Sequence, residues 1–242
     1  MPNQQPPEKI ITYEDRSSYL EVHSVFKTIQ GEGPFAGHPA IFIRLAGCNL
    51  QCPACDTEYT KGREFLAPEI IVDRVQELAE NSGIRLVVIT GGEPYRQWLN
   101  KLFTRLIDEE FYIQVETNGT LEIPNYYNYN RDIRQRVGVY VVCSPKTGSV
   151  HQTVLDKACA FKYVLSVDSF SPEDGLPIKA LGHSVNKHVA RPSGWGNLYV
   201  YLQPEDTGDA EKNLANLRQC IENCMAHNYI LQPQIHKIIG VP

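Results

Sequence analysis

The chain has 242 residues, 42% hydrophobic and 21% charged, with a formal net charge of -5. That length suits one large domain with a buried core, and the composition is that of an ordinary soluble globular enzyme. The absence of a Lys/Arg stripe argues against nucleic acid as a direct partner, no apolar run is long enough to span a bilayer, and the polar, Pro-rich start Met1–Pro7 is not a signal peptide.

Residues 1–18 read as a disordered lead-in, with a single domain over 19–242. Val22–Ile29 alternates loosely, as a strand does, and runs into Gln30-Gly31-Glu32-Gly33-Pro34, a polar turn that suits either a plain hairpin or a binding loop. Ala40–Leu45 is a buried strand carrying one charge, Arg44. A lone guanidinium there needs a structural carboxylate or an anion in a cavity, because burying it unpaired is costly. The cysteine loop follows at once: Cys48, Cys52 and Cys55 lie within eight residues of a chain that has seven cysteines. Pro53 and the lack of any periodicity make this a loop. A [4Fe-4S] cluster normally takes four thiolates, so three leave one iron open to a small molecule. A structural zinc site needs four closed ligands, usually from separated C-x2-C pairs, and no such second pair exists. Cys220 and Cys224 share a helical face with Leu217 and Ile221 and read as core thiols. With so many reduced thiols, a reducing cytoplasm fits.

Pro68–Glu80 reads as a helix with Pro in its first turn and Ile71, Val75 and Leu78 on one stripe. Leu86–Thr90 is a continuous apolar run, as in a parallel strand covered on both faces, and ends in Gly91-Gly92-Glu93-Pro94. A second helix spans Trp98–Glu110. Further strands cover Tyr112–Val115, Val137–Val142, Phe161–Val167 (with Lys162) and Leu198–Leu202. Three of these four lead into Glu116-Thr117-Asn118-Gly119, Cys143-Ser144-Pro145-Lys146 and Gln203-Pro204-Glu205-Asp206. Asp209–His227 is the strongest helix, its expected stripe being Ala210, Leu214, Leu217, Ile221 and Cys224. Alternating strands and helices predict an α/β fold with a mostly parallel sheet. Small polar clusters at successive strand ends predict a site on one rim, as in barrels. The connection 121–136 reads as loop, 149–160 holds about two helical turns, and 168–197 is a long irregular insertion. The barrel is therefore expected to be incomplete, with trimmed helices.

Cys48, Cys52 and Cys55 followed by Gly91-Gly92-Glu93-Pro94 resemble the signature of the radical S-adenosylmethionine superfamily. Gln30-Gly31-Glu32-Gly33, Arg44-Leu45-Ala46-Gly47-Cys48, Cys55-Asp56-Thr57, Glu116-Thr117-Asn118-Gly119, Ser144-Pro145-Lys146, Gln203-Pro204, His236-Lys237 and Pro242 together resemble the 7-carboxy-7-deazaguanine synthases, in order from Val25 to the end. That family contracts the ring of 6-carboxy-5,6,7,8-tetrahydropterin, with loss of ammonia, on the route to queuosine and other 7-deazapurines. The resemblance implies a partial (β/α)6-type barrel with a [4Fe-4S] cluster on Cys48, Cys52 and Cys55. It implies S-adenosylmethionine along Ala54, Cys55, Asp56, Gly92, Ser144, Pro145, Lys146, Gln203, Pro204, Glu205 and Asp206. The pterin would meet Ile29, Gln30, Gly31, Arg44, Thr90 and the carboxylate of Pro242, with a Mg2+ on the hydroxyl of Thr57. It further implies a homodimer and an electron donor such as a flavodoxin or ferredoxin. Two rival readings share parts of the pattern: an activase that plants a glycyl radical on a partner enzyme, and a zinc-stabilised α/β binding module.

Overall fold

The computed structural model describes residues 6–11, 18–55, 57–125, 128–183, 188–192 and 198–242. Its elements are β1 (Leu20–Ile29), β2 (Pro39–Leu45), β3 (Glu64–Leu66), α1 (Pro68–Ala79), β4 (Leu86–Gly91), α2 (Asn100–Asp108), β5 (Tyr112–Thr117), β6 (Val139–Cys143), α3 (Gln152–Lys157), β7 (Ala160–Leu165), β8 (Tyr199–Pro204), α4 (Ala210–His227), β9 (Ile230–Leu231) and α5 (Ile235–Ile239). Among the described residues the strands form one sheet in the order β3-β1-β2-β4-β5-β6-β7-β8-β9. From β2 to β9 every neighbour is parallel, whereas β1 is antiparallel to both β2 and β3. The strand expected at Val22–Ile29 is thus an antiparallel flank, and the (β/α) succession begins at β2. The trimmed, single-domain partial barrel is the architecture observed. β3, β9 and α5 went unread, because each is too short to carry a period.

The register explains how one sheet serves two environments. Phe42 and Arg44 face Val88 and Thr90, Gln114 and Glu116 face Tyr140 and Val142, and Lys162 and Val164 face Tyr201 and Gln203. Side chains alternate along a strand, so these residues share one face. Its strand-start half packs Phe35, Val88, Tyr112, Tyr140, Val142 and Tyr201 into a compact aromatic cluster. Its carboxyl-end half is polar. The opposite face carries Ile41, Ile43, Val87, Ile89, Ile113, Val115, Val141, Phe161 and Leu202, buried with the inner sides of α1 and α2 in the main core.

Helix α4 starts at Asp209, whose carboxylate accepts from the amides of Glu211 and Lys212, and stops at Asn228 in the left-handed region. Its predicted stripe is corrected. The buried residues are Asn216, Cys220, Asn223 and Cys224, while Leu214 is 47% and Ile221 36% exposed. The two asparagines face inward because the loops beneath need partners. Asn216 accepts from the Val167 amide and donates to the Glu205 carbonyl, each at 2.9 Å, and Asn223 donates to the Gly175 carbonyl at 2.7 Å. Cys220 and Cys224 lie in the core, where burial raises both thiols.

Described residues of the expected disordered lead-in and of the insertion bond to the rest of the domain. Within the expected lead-in, the Glu8 amide donates to the Cys48 carbonyl and the Ile11 amide to the Arg96 carbonyl, both at 2.8 Å. In the insertion, the Ala190 amide donates to the Thr147 carbonyl, and the Arg191 guanidinium pairs with Asp174 at 2.7 Å.

Candidate active site

The polar half of the inner face opens on a cavity of about 250 Å3. Its lining includes Cys48, Cys52 and Cys55 with Ala54 and Thr57, and also Ile29, Gln30, Arg44, Thr90 and Pro242. Gly92, Ser144, Lys146, Gln203, Glu205 and Asp206 complete the wall from the ends of β4, β6 and β8. These predicted residues come from segments spread along the chain. Of the other predicted ones, Gly31, Pro145 and Pro204 do not line the cavity, and Asp56 lies outside the described residues.

The cysteine loop rests on β4. The Gly92 amide donates to the Leu45 carbonyl at 3.1 Å and the Glu93 amide to the Gly47 carbonyl at 3.0 Å. A Cβ on Gly92 would fall 1.8 Å from that carbonyl oxygen. This glycine therefore admits the base of the cysteine loop itself, beyond any approach to a bound molecule. Glu93 is fully buried below it. It accepts from the Tyr95 amide at 3.1 Å, the Thr117 hydroxyl at 2.8 Å and the Asn118 amide at 2.8 Å. Burial outweighs these donors and raises its carboxyl to about 7. Asn118 in turn donates to Asn49 at 2.9 Å, tying the end of β5 to the loop. Burial pushes the Cys48 thiol up to about 12. Such thiols bind as thiolates only to a cation that displaces their protons.

The substrate-side groups converge on Glu116. One carboxylate oxygen accepts from Gln30 and Gln114, each at 3.0 Å, and the other from the Thr90 hydroxyl at 3.1 Å. Gln30 is positioned by accepting from the Glu32 amide at 3.1 Å. The Arg44 guanidinium lies over the Phe26 ring, 5.2 Å from its centroid. In the same cavity wall Glu32 forms a buried ion pair with Lys162 and accepts from Gln234 at 2.8 Å. Burial alone would raise the Glu32 carboxyl, but the Lys162 ammonium overrides it and holds it at about 2. Thr28 donates to a terminal oxygen of Pro242 at 2.7 Å, seating the chain end against this wall. Gly31 packs under His236, whose Nδ1 would lie 2.2 Å from a Cβ there. The sequence had shown Glu116 and Glu32 only as motif members without roles, and Gln114, Lys162 and Gln234 without a motif. Polar residues at alternate positions of otherwise apolar strands were the available signal.

The residues present fit a cluster with one open iron and a polar cofactor beside it. Three thiols from one loop border the cavity, with no fourth cysteine in its wall among the described residues. The buried side-chain oxygen of Gln203 has no hydrogen-bond partner among the described residues, as suits an acceptor kept for a bound donor. Among the described residues no helix is long and apolar enough to cross a membrane.

Comparison with known proteins bears on the same residues. The model of the Radical SAM superfamily matches residues 42–195. A 7-carboxy-7-deazaguanine synthase of Rickettsia prowazekii is 36% identical over 231 residues, covering 92% of this chain and 88% of that protein. One from Rhodospirillum rubrum is 35% identical over 236 residues, covering 92% of each. The crystal structure of QueE from Escherichia coli superposes with a TM-score of 0.64 at 26% identity, over 90% of this chain and 95% of that one.

Proposed function

The chain belongs to the Radical SAM superfamily and, within it, to the 7-carboxy-7-deazaguanine synthases, and from that premise we propose how its cavity works. The enzyme converts 6-carboxy-5,6,7,8-tetrahydropterin to 7-carboxy-7-deazaguanine with loss of ammonia, in queuosine and 7-deazapurine biosynthesis. The observation that carries the site reading is the shared cavity: the three thiols line the same space as Gln30, Arg44, Thr90 and Glu116. The glycyl-radical activase and the zinc module are set aside, since relatives matched over most of their length carry the synthase name.

In this reading Cys48, Cys52 and Cys55 hold the [4Fe-4S] cluster. S-adenosylmethionine lies along Ala54, Cys55, Asp56, Gly92, Ser144, Lys146, Gln203, Glu205 and Asp206, with Pro145 and Pro204 shaping the turns behind it. What cluster and cofactor supply when bound is one-electron cleavage of the sulfonium to a carbon radical. The protein's own part is position and dryness. Arg44 offers a fork to the pterin carboxylate. Glu116, fixed by three donors, accepts from the pterin N–H groups, and Ile29 and Gln30 border the ring. The Thr57 hydroxyl would be the protein's ligand for a Mg2+, which would supply positive charge beside the substrate. Residues 19–242 make one catalytic domain, with 1–18 as its lead-in. Exposed Leu214, Ile221 and Met225 repeat along one side of α4, as suits a second copy of the chain in a homodimer. A flavodoxin or ferredoxin in the cytoplasm supplies the electron.

Anaerobic cluster loading followed by product analysis tests the function. Loaded, reduced protein should turn the pterin into carboxydeazaguanine with no net loss of S-adenosylmethionine; cofactor consumption without that product would reject it. The seat of Pro242 gives a second expectation. Adding residues after it removes its terminal carboxylate and should weaken pterin binding, measured by calorimetry, about tenfold, the worth of one charged hydrogen bond. Iron content should not change. Unaltered pterin affinity in an extended chain would sink the contact.

A further inference from the structure

The insertion touches the cysteine loop through one tight turn. The His183 amide donates to the Ala180 carbonyl at 3.0 Å, and between them Leu181 and Gly182 both have positive φ, 47° and 79°. That is the geometry of a two-residue turn with both central residues left-handed. Its three exit residues meet three consecutive loop residues in antiparallel order. The Leu181 carbonyl accepts from the Ala54 amide at 3.1 Å. Gly182 lies against Pro53, so close that a Cβ would come within 3.0 Å of the ring. His183 Nε2 lies 3.1 Å from Cys52 Sγ. The turn is held from behind by Ala180, which is 3% exposed and part of the main core.

We propose that His183 donates its Nε2–H to the Cys52 sulfur and thereby raises the reduction potential of the cluster. A cysteine sulfur bound to iron is an acceptor, so a ring nitrogen at this distance must present its proton. Hydrogen bonds to cluster sulfurs stabilise the reduced, more negative state. His183 does not itself line the cavity but sits behind Cys52, which does, so its action is on the donor set and not on substrate. It is a positioning residue that makes the cluster easier to reduce.

The test compares anaerobically loaded wild type, His183→Phe and His183→Gln by redox titration followed by electron paramagnetic resonance, without pterin. Phe fills the space without a donor; Gln retains an N–H at similar reach. Iron and sulfide per chain should match in all three. At a fixed poise the ratio of reduced to oxidised cluster should fall about tenfold in His183→Phe, a midpoint ~59 mV more negative for one electron, with His183→Gln recovering part of the shift. Equal midpoints in wild type and His183→Phe overturn the proposal. So does a nitrogen hyperfine coupling of the size of a bound imidazole, which would make His183 an iron ligand. So does loss of the cluster from both variants, which would make the turn purely structural. The proposal rests on the cluster assignment above, and the two fail separately: wild type that takes up no iron sinks that assignment, whereas equal midpoints in loaded proteins sink this one alone.

Discussion

Gly92→Ala yields a protein that folds less stably and loses most of its iron. The added methyl would sit 1.8 Å from the Gly47 oxygen, 2.4 Å from its carbonyl carbon and 3.0 Å from the Cys48 nitrogen. All three are backbone atoms, so no side chain can swing aside. The bonds from the Gly92 amide to Leu45 and from the Glu93 amide to Gly47 are lost as the loop is pushed off β4. Overpacking costs about 1–3 kcal/mol and each lost buried bond about 1 kcal/mol more, so a loss of about 3 kcal/mol or more is expected. Gly83→Ala is the control. Gly83 has φ +64° with nothing within 4 Å of its Cβ position. It should cost only the ~1–2 kcal/mol of left-handed backbone and keep its iron. Thermal unfolding and iron content after anaerobic loading check both variants. Full iron in Gly92→Ala would show that the loop does not depend on this approach.

Lys162→Met is expected to destabilise the protein by roughly 3–5 kcal/mol at pH 7.5, because it leaves a buried carboxylate without its cation. Lys162 and Glu32 are each about nine-tenths buried, at 8% exposure apiece. In the wild type the Glu32 carboxyl is lowered to about 2, so its contribution is present above the ordinary carboxyl range and lost only as pH falls toward 2. Without the ammonium, burial, the largest influence on this carboxyl, is opposed only by the Gln234 hydrogen bond and His236, and the carboxyl is expected to rise above its ordinary value. The variant then takes up a proton as pH falls, so the difference between the proteins shrinks in mild acid. Urea unfolding at pH 7.5 and 4.5 reads both parts. Adding Glu32→Gln to Lys162→Met should recover much of the loss, since the unpaired charge goes with it. Equal losses at the two pH values would remove the ion pair as the cause.

Legibility followed the range of each interaction. The apolar runs at Leu86–Gly91 and Val139–Cys143 were readable because a strand covered on both faces needs nothing but its own composition to announce itself. The stripe on α4 was misread because Leu214 and Ile221 promised an inner face that Asn216 and Asn223 occupy. Amides that satisfy loop carbonyls look, in a linear pattern, like solvent-facing residues. Arg44 stood out as a charge in an apolar strand, but only the register beside Thr90 placed it on the polar half of the inner face.

From residue order alone came the cysteine loop, the glycines after β4, the alternation of strand and helix, and the resemblance they carry. These are contained in single segments, where spacing and period act over a few residues. Tertiary structure alone decided that Lys162 meets Glu32 across 130 positions, that three donors gather on Glu116, and that His183 reaches Cys52 across 131. Strand register and sheet curvature bring such groups together. Neither is a property of any one segment, since each arises from the pairing of distant strands into one sheet over a shared core.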